Sequence, residues 1–437
     1  MYVTDDLKFV LSTQCFVIKN KIRMCDNKTS DALEIIDAGL VAAQPKYFLR
    51  KFIKKNKLLV RSKTISLSKF RRIYLVSVGK AADSMTEFAC TKINFDGGIT
   101  IIPKNYKVKH IGKNIDIIHA SHPIPDRCSV MAATFVIKLL QSLNPDDFVV
   151  FLISGGTSSL LALPWGVDLN QKKKTTEILL KSGASIHEVN AVRKHISAIK
   201  GGQILQHLKC QAASYVMSDV VGDDLNVIAS GLTYCDNSTY ADCLKIVTKY
   251  GLEKRLPPSV MRHLNAGVKG LLPETPKRPK IPNIIVATNA DCLEAMAYKA
   301  KLLGYDTKIL HSVHGPVNIT AKKIIETFSF KKKSCLVFGG EPTVFVHGAG
   351  KGGRNQELVL RIAGNIKDNV VVASVGTDGI DGNTKHAGAV FSSASKNHIA
   401  TYLKNNDSNS FFRKYGGLIL TGPTHTNLMD IGLILSE

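Results

Sequence analysis

The stretch DDFVVFLISGGTSS, residues 146–159, decides the fold of this chain. Six apolar residues run without interruption from Phe148 to Ile153 and end in a loop of glycines and hydroxyl side chains. A strand without polar alternation is typical of a parallel sheet that is covered by helices on both faces. Small polar residues after such a strand are typical of the turn into the next helix. The stretch therefore predicts an α/β fold with this loop at the carboxyl end of a strand.

The same scheme recurs along the chain. Apolar runs that end in small or polar residues also occur at 72–79, 212–224, 282–296, 334–343, 369–382 and 417–427. Residues 30–44, SDALEIIDAGLVAAQ, have apolar side chains at helical spacing behind a Ser or Asp cap. Four prolines in residues 271–283 predict a linker, because few helices or strands tolerate that density. We therefore expect an extension at 1–27, a larger domain at 28–275 and a smaller domain at 276–437.

The chain is strongly basic, and this charge bears on which binding partners we expect. The 437 residues include 58 Lys and Arg against 35 Asp and Glu, a formal net charge of +23. Basic clusters lie at 51–72, 172–174 and 331–333, without the interleaved aromatics of a single-strand binding platform. No zinc-finger, homeodomain or RRM pattern occurs, so we expect no nucleic-acid partner and a field that attracts small anionic substrates. A basic protein that binds RNA or a membrane surface is the alternative.

Compartment and membrane association follow from the cysteines and the hydropathy. No run of roughly 18 apolar residues occurs, so we expect no membrane span and no membrane partner. Nine cysteines without a C-x-x-C pair predict a reducing compartment, the cytoplasm, with the mitochondrion as the alternative. Asp5 and Asp6 argue against a transit peptide in residues 1–27, and Met24 is an alternative start. A homodimer is left open.

The polar residues at the predicted strand ends suit phosphoryl transfer. In open α/β sheets, ligands bind beyond the carboxyl ends of the strands. Phosphoryl transfer needs cations, backbone donors and carboxylates for positioning and charge neutralisation. Lys80 and Arg354 are the candidate cations, and the loops SGGTSS and GAGKGG, the second of which runs into a helix, are the candidate backbone cradles for phosphate. The carboxylates that could bind Mg²⁺ or accept a hydroxyl proton are Asp219, Asp223, Glu341, Asp378 and Asp381.

Residues 187–202, HEVNAVRKHISAIKGG, read as an amphipathic helix that ends at a glycine cap. Its Arg193, Lys194 and Lys200 could bind a carboxylate, or they could form a solvated face. The 13 histidines show no metal-binding spacing. We interpret His119, His122 and His195 as structural.

Taken in order, nine motifs of this chain resemble those of the class II glycerate kinases, the family that carries the MOFRL domain. The match runs from about Asp31 to Ser436, and GGRNQE, GTDGIDG and TNLMDI together are highly specific. The motifs are SVGKAADSM, SHPIPD, SGGTSSLLALP, NAVRKHISAIKGGQ, SDVVGDDLNVIASG, GGEPTVFV, GKGGRNQE, GTDGIDG and TGPTHTNLMDIGLIL.

The resemblance implies an ATP- and Mg²⁺-dependent kinase that phosphorylates D-glycerate at the 2-hydroxyl to give 2-phosphoglycerate. It implies two three-layer α/β domains, the larger Rossmann-like with a mainly parallel sheet and the smaller with a mixed sheet, and an active site in the cleft between them. The family's essential lysine and arginine match Lys80 and Arg354, which we take as catalytic together with Asp219 and Asp378. The last two are also the expected metal ligands. The expected substrate- and nucleotide-binding residues are Gly79, Ser154, Gly155, Gly156, Thr157, Ser158, Asn190, Arg193, Lys200, Glu341, Gly353, Asn355, Thr377 and Asn427.

Three departures from the family pattern bear on activity. Thr157 replaces the third glycine of the family's Ser-Gly-Gly-Gly-Ser loop, which would be costly if that position needs a positive φ. Leu232 replaces a proline, and His425 stands where glycine is common. A reductase acting on hydroxypyruvate or a related small acid is the alternative function. It would need a dinucleotide-binding glycine motif after a strand with an acid roughly 20 residues further on, which we do not find.

Overall fold

The computed structural model describes residues 27–108, 111–366, 369–392, 396 and 398–436. The predicted extension, apart from its last residue, and the alternative start at Met24 lie outside the described residues. The fold is built from many short strands and helices. The strands are β1 (Ile53–Lys54), β2 (Lys57–Val60), β3 (Lys63–Ser66), β4 (Ile73–Val78), β5 (Gly97–Pro103), β6 (Ile115–Ala120), β7 (Phe148–Ile153), β8 (Gln211–Met217), β9 (Asn283–Ala287), β10 (Asp306–Pro316), β11 (Ser334–Thr343), β12 (Val370–Gly376), β13 (Gly388–Phe391), β14 (Leu418–Ile419) and β15 (Asp430–Ser436).

Helices alternate with the longer strands. The α-helices are α1 (Asn27–Ala42), α2 (Pro45–Phe48), α3 (Ala82–Cys90), α4 (Arg127–Ser142), α5 (Thr157–Leu160), α6 (Leu169–Lys181), α7 (Ile186–His195), α8 (Tyr240–Lys249), α9 (Pro258–Val268), α10 (Asn289–Leu302), α11 (Val317–Thr327), α12 (Arg354–Ala363), α13 (Ile399–Lys404) and α14 (Ser408–Tyr415). Short 3₁₀ turns occur at Leu49–Lys51, Leu67–Lys69, Gln203–His207 and Ile228–Ser230. None of the helices in the described part of the chain is long and apolar enough to cross a membrane.

The chain forms two compact units. The first unit comprises Leu49–Val286, and the second comprises the described residues up to Phe48 together with those from Ala287 onward. Each unit has a six-stranded sheet, and the first also has a small antiparallel sheet in the order β1-β2-β3. The α/β class predicted from the apolar runs is therefore confirmed.

The large sheet of the first unit has the strand order β6-β5-β4-β7-β8-β9. The pairings from β6 through β8 are all parallel. All six residues of β7 are buried, because helices cover both faces of the sheet at its centre. One apolar core joins β4, β5 and β7 to α4. A second, helical core packs α6 to α9 together.

The sheet of the second unit is mixed, with the order β10-β11-β15-β12-β13-β14. Strands β10 and β11 are parallel, whereas β15 runs antiparallel to both of its neighbours, β11 and β12. The insertion of β15 places its first residue, Asp430, opposite Gly340 of β11 and Gly376 of β12. The amino end of β15 therefore lies at the same edge as the carboxyl ends of β11 and β12.

Helix α1 belongs to the second unit, and this differs from the predicted division at 28–275 and 276–437. Its Asp31 accepts a hydrogen bond from Tyr305 at 2.8 Å, and the Ala43 carbonyl just after it accepts one from Thr426 at 2.6 Å. A Cβ on Gly39 would lie 2.7 Å from Ile431, so this glycine allows the helix to approach β15 closely. The helix buries its apolar face on a sheet that lies more than two hundred residues further along the chain. A local sequence pattern cannot predict a contact between segments so far apart in the chain.

The proline-rich segment 271–283 is irregular, as its composition predicts, but the first unit holds it firmly. Thr275 donates a hydrogen bond to Asp236 at 3.0 Å, and Lys280 donates to the carbonyls of Leu205 and Leu208, both at 2.7 Å. Strand β9 follows the segment directly and joins the sheet of the first unit. The boundary between the units therefore falls at the end of β9, between Val286 and Ala287, and not inside the proline-rich segment.

Candidate active site

The strand order of the first unit reverses between β4 and β7. The chain passes from β4 outward to β5 and β6 on one side, then returns to place β7 and β8 on the other side. Ligands of open α/β sheets bind at such a switch point, beyond the carboxyl ends of the two central strands. Gly79 and Lys80 follow β4, and the loop of residues 154–159 follows β7. The predicted residues of both loops therefore lie at the switch point.

Hydrogen bonds join these two loops. The Lys80 amide donates to the Gly155 carbonyl at 2.8 Å, and the Ala81 amide donates to Ser154 Oγ at 3.0 Å. Gly79 has a φ of +133°, and a Cβ on it would lie 2.1 Å from Ser154 Oγ. Glycine is needed at position 79 because the two loops approach too closely for any side chain there. The backbone of Lys80 is thus fixed to the loop after β7.

Thr157 does not distort this loop, so the cost that the family comparison suggested is absent. The left-handed residue is Gly156, with a φ of +86°, and Thr157 begins the short helix α5. The buried Thr157 hydroxyl donates within the site, 2.9 Å from the Val78 carbonyl and 2.7 Å from the Ser154 carbonyl. Its side chain therefore ties the loop to the end of β4. The threonine hydroxyl makes hydrogen bonds that glycine could not make.

His122 lies beside this loop, which the sequence interpretation missed. A Cβ on Gly156 would lie 3.0 Å from the His122 ring and 3.3 Å from Lys80 Cγ. The His122 and Lys80 side chains therefore flank the same glycine. By contrast, His195 is fully buried, and its ring contacts the Ala191 carbonyl at 2.8 Å and Glu274 at 3.1 Å, which agrees with a structural role. His119 lies on the edge strand β6.

A second cluster of predicted residues adjoins the loop after β7. Ser158 and Ser230 are 2.8 Å apart between their hydroxyl oxygens, and Ser230 donates to Asn190 Oδ1 at 3.1 Å. Arg193 donates to the same Asn190 oxygen at 3.3 Å. Lys200 donates to the Ser158 carbonyl at 2.9 Å. The structure thus brings together Ser158, Asn190, Arg193 and Lys200, and the buried Lys200 is not part of a solvated face.

Ser230 is a member of this cluster that was not predicted. It lies in a run of three left-handed residues, with φ values of +55° at Ala229, +53° at Ser230 and +63° at Gly231. Non-glycine residues in this conformation cost free energy and concentrate at functional sites. The strained turn aims the Ser230 hydroxyl at both Ser158 and Asn190. Leu232, which follows, is buried in the apolar core, so the leucine packs where the family has proline.

Asp219 is half-buried just beyond the end of β8, the strand next to β7. Lys80, the SGGTSS loop and Asp219 therefore follow three strands that are consecutive in the sheet. Asp223 has a φ of +54° and lies further along the same loop. Of the two acids, Asp219 is the nearer to the strand end.

Arg354 lies in the second unit, where three carboxylates surround the edge formed by β11, β15 and β12. Its Nε and Nη2 atoms donate to the two oxygens of Asp430 at 2.5 and 3.0 Å, and its Nη1 donates to Glu341 at 2.5 Å. Asp430 is 5% exposed, whereas Glu341 is 47% exposed. Burial lowers the pKa of Arg354, but the two carboxylates outweigh that effect and raise it overall. Arg354 therefore stays charged with one face held inside the unit.

Asp378 lies at the same edge as Asp430. A Cβ on Gly376 would be 3.2 Å from Asp378 Oδ1 and 3.4 Å from Asp430 Oδ1, so the two carboxylates flank one glycine. Thr377, which was predicted to bind ligand, is fully buried, and its hydroxyl donates to the Met429 carbonyl at 2.6 Å and accepts from the Leu428 amide at 2.7 Å. Thr377 therefore holds the segment that leads from Asn427 to Asp430.

Asn427 is half-buried in that segment, two residues after His425. His425 has a φ of +55°, a conformation that glycine adopts without steric cost. Histidine is among the residues that tolerate the left-handed region. The departure at His425 therefore keeps the backbone conformation of the segment.

The glycine-rich loop before Arg354 is not the open cradle for phosphate that the sequence predicted. Its backbone N–H groups already donate within the second unit. The Gly348 amide donates to Asn406 Oδ1 at 3.0 Å, and the Ala349 amide donates to Asn405 Oδ1 at 3.2 Å. The Lys351 amide donates to Asp407 Oδ1 at 2.9 Å, and the Gly352 amide donates to Asn383 Oδ1 at 3.0 Å. A Cβ on Gly348 would lie 2.3 Å from the Asn405 carbonyl oxygen, so the glycines serve close packing against residues 405–408.

The start of helix α12 is also occupied by the protein itself. The buried Asp381 carboxylate accepts the Asn355 amide at 3.0 Å and the Gln356 amide at 2.9 Å, and it also accepts both of their side-chain amides. A Cβ on Gly353 would lie 2.3 Å from Asp381. Asp381 thus takes the place of the predicted anion at this helix start. Gly353 and Asn355 are correspondingly structural, and Asp381 is removed from the candidate metal ligands.

Comparison with known proteins links the chain to one family. Residues 31–265 match the family described as a domain of unknown function (DUF4147), and residues 334–430 match the MOFRL family. A Pyrococcus horikoshii protein named glycerate 2-kinase is 35% identical over 422 residues, which cover 91% of this chain and 95% of that protein. An Agrobacterium vitis protein named as a hydroxypyruvate reductase is 36% identical over 391 residues, covering 83% and 87%. The crystal structure of a glycerate kinase from Thermotoga maritima has a TM-score of 0.79 at 34% identity, covering 94% of this chain and 99% of that one.

Proposed function

The chain belongs to the family of glycerate kinases that contain the MOFRL domain, and from this we propose that it transfers the γ-phosphoryl group of ATP to the 2-hydroxyl of D-glycerate. The observation that carries the proposal is the junction of Lys80 with the SGGTSS loop at the switch point of the first sheet. A cation beside a glycine- and hydroxyl-rich loop is the combination that holds a phosphoryl group in transfer.

Lys80 and Arg354 each supply positive charge for the phosphates. Phosphoryl transfer needs little covalent chemistry from the protein, so charge neutralisation and positioning are the main contributions to the rate. The Lys80 backbone is anchored to Gly155, which fixes the origin of its side chain. The Arg354 guanidinium is held by Asp430 on one side, which leaves Nη1 as its outward-facing group.

Single carboxylates of this chain fit a magnesium ion. Mg²⁺ takes one or two protein carboxylates and fills its other positions with water and phosphate oxygens. Asp219 and Asp378 are half-buried and lie just beyond strand ends, and either would hold the ion. Groups of three or more His, Cys, Asp or Glu that could hold a metal ion are absent from the described residues. When bound, the ion would neutralise phosphate charge.

The proton of the attacking hydroxyl also needs an acceptor. Asp219 or Asp378 fills this role in our proposal, because a general base must lie within hydrogen-bond reach of the substrate and both carboxylates are partly accessible. Asp430 is less suited, because both of its oxygens already accept from Arg354.

A hydroxypyruvate reductase is the second candidate, because a relative from Agrobacterium vitis carries that name. A reductase needs free backbone donors for the pyrophosphate of its dinucleotide. The glycine-rich loop at 348–353 is the natural place for them, yet four of its six amides already donate to Asn and Asp side chains. This arrangement favours the kinase.

The experiment that tests the proposal measures two activities of one purified preparation. ADP formation is followed with D-glycerate, ATP and Mg²⁺, and NADH or NADPH oxidation is followed with hydroxypyruvate. We expect ADP formation only, and a loss of about 10³-fold in kcat for Lys80→Ala and for Arg354→Ala. Reduction of hydroxypyruvate without ADP formation would reject the kinase, and full turnover in both variants would reject the assigned cations.

A further inference from the structure

Two cations beside the SGGTSS loop lack a counter-ion among the described residues. Lys200 is 1% exposed, and its Nζ donates to a backbone carbonyl, that of Ser158. Arg193 donates to the amide oxygen of Asn190. Within the described ranges, neither side chain forms an ion pair with a carboxylate, and the charges that act on Lys200 are all positive, from Arg193, Lys172 and Lys194. Burial, together with these charges, lowers the pKa of Lys200.

Of the neighbouring buried lysines, Lys194 has a counter-ion, whereas Lys172 is held by backbone carbonyls. Lys194 pairs with the buried Asp236 at 3.2 Å. Lys172 donates to the Arg193 and Ile196 carbonyls at 3.1 and 2.8 Å, where it caps the end of helix α7. A buried charge without an opposite charge is strongly unfavourable. Beside the SGGTSS loop, the half-buried Arg193 and the buried Lys200 have no opposite charge among the described residues, so an anionic ligand would be stabilised at this position.

The hydrogen-bond directions in the cluster give a second criterion for the ligand that would fit there. The Asn190 oxygen can only accept, so the single hydroxyl hydrogen of Ser230 points to Asn190. Ser158 must then donate its own hydrogen to Ser230 across their 2.8 Å contact. The Ser158 oxygen keeps a lone pair that can accept a hydrogen bond. A ligand with a negative charge and a hydroxyl donor close to each other would therefore match both features of the cluster.

We propose that Arg193 and Lys200 bind the carboxylate of the substrate, and that Ser158 accepts a hydrogen bond from one of its hydroxyls. This assignment rests on the proposed kinase function and deepens it, because it places the small hydroxy acid, and not a phosphate of ATP, at this cluster. The polyphosphate of ATP offers acceptors but no hydroxyl donor to Ser158. A guanidinium has five N–H donors, so Arg193 keeps several for a carboxylate in a two-pronged contact.

The test compares Arg193→Gln with wild type in steady-state kinetics and in calorimetric titration with D-glycerate alone. We expect the KM and Kd for D-glycerate to rise about 100-fold, because a charged hydrogen-bonded contact is lost. The KM for ATP should stay within about twofold, since the nucleotide does not touch this cluster. Discrimination between D-glycerate and glycerol, which lacks the carboxylate, should shrink by the same factor.

Two further variants keep the test sharp. Arg262→Gln makes the same substitution at an exposed position of helix α9 and should leave both KM values unchanged. Arg193→Lys retains the charge without the planar fork, so it should raise the KM for D-glycerate about tenfold, and it serves if Arg193→Gln does not fold.

The outcomes separate the two proposals. A rise in the KM for ATP with unchanged D-glycerate binding would overturn the carboxylate assignment and leave the kinase function intact. D-Glycerate binding that depends on Arg193, in a wild type that forms no ADP, would reject the kinase function and support the subsite.

Discussion

The buried carboxylate of Asp430 holds the guanidinium of Arg354 through both Nε and Nη2, at 2.5 and 3.0 Å. This contact orients the arginine from behind, while Nη1 contacts the exposed Glu341. Since Glu341 is exposed, a phosphate oxygen can exchange with it at low cost. Asp430 cannot be exchanged in this way, because its removal would leave Nε and Nη2 of a partly buried guanidinium without their acceptors. The two carboxylates therefore have different roles toward one arginine.

Asp430→Asn should lower kcat by about 10²-fold, with a smaller effect on the KM for ATP, because the arginine loses its orientation and not its charge. Glu341→Gln is the matched control at the other end of the same guanidinium, and we expect its kcat within a fewfold of wild type. Steady-state kinetics of both variants, with thermal melts to check folding, decide the point. Equal losses in the two variants would contradict a positioning role specific to Asp430.

Asn406→Ala tests the structural interpretation of the glycine-rich loop. Asn406 accepts the His347 and Gly348 amides at 2.8 and 3.0 Å and donates to Glu357 at 3.0 Å. Its loss leaves these groups unsatisfied, at a cost of about 1–3 kcal/mol each when buried. We expect a clearly lower Tm and an unchanged KM for ATP. A raised KM for ATP at an unchanged Tm would instead mean that the loop binds phosphate.

Thr157→Gly restores the residue that is usual in the family, and it should not improve the enzyme. The substitution removes two hydroxyl contacts to the ends of β4 and β7 and puts glycine into a helical turn, which costs about 1 kcal/mol in addition. We predict a lower Tm and a kcat no higher than that of wild type. A gain in kcat would show that threonine impairs the loop after all.

D-Glycerate binding should be accompanied by proton uptake in the pH range in which Lys200 of the free protein loses its proton. The pKa of Lys200 is lowered by burial and by Arg193, Lys172 and Lys194, so part of the free protein carries a neutral Lys200 as the pH rises through that lowered value. A bound carboxylate favours the charged lysine and raises its pKa again. Hence the affinity falls as the pH rises, and proton uptake accompanies binding. Titrations in two buffers of different ionisation enthalpy measure the uptake, which Lys200→Met should abolish; uptake that persists in that variant would contradict the assignment.

The sheet of the first unit could be predicted from the sequence, because buried parallel strands are continuous apolar runs that end in small polar loops. Asp430 was not predicted as a site residue, and the reason is topological. It begins an antiparallel strand inserted between β11 and β12, so it lies at the candidate site edge at the amino end of its strand. The rule that ligands bind beyond the carboxyl ends of strands does not cover such a position. The glycine-rich loop misled for a related reason, because the acceptors for its amides lie at 383 and 405–407 and are not local.

The most direct measurement of the central claim is the position of the new phosphate. Purified protein is incubated with D-glycerate, ATP and Mg²⁺, and the product is offered to enolase alone and then to enolase with phosphoglycerate mutase. We predict phosphoenolpyruvate with enolase alone, because transfer to the 2-hydroxyl gives 2-phosphoglycerate directly. Phosphoenolpyruvate that forms only after the mutase is added would mean 3-phosphoglycerate and would contradict the proposed regiochemistry; no product under either condition would contradict the kinase itself.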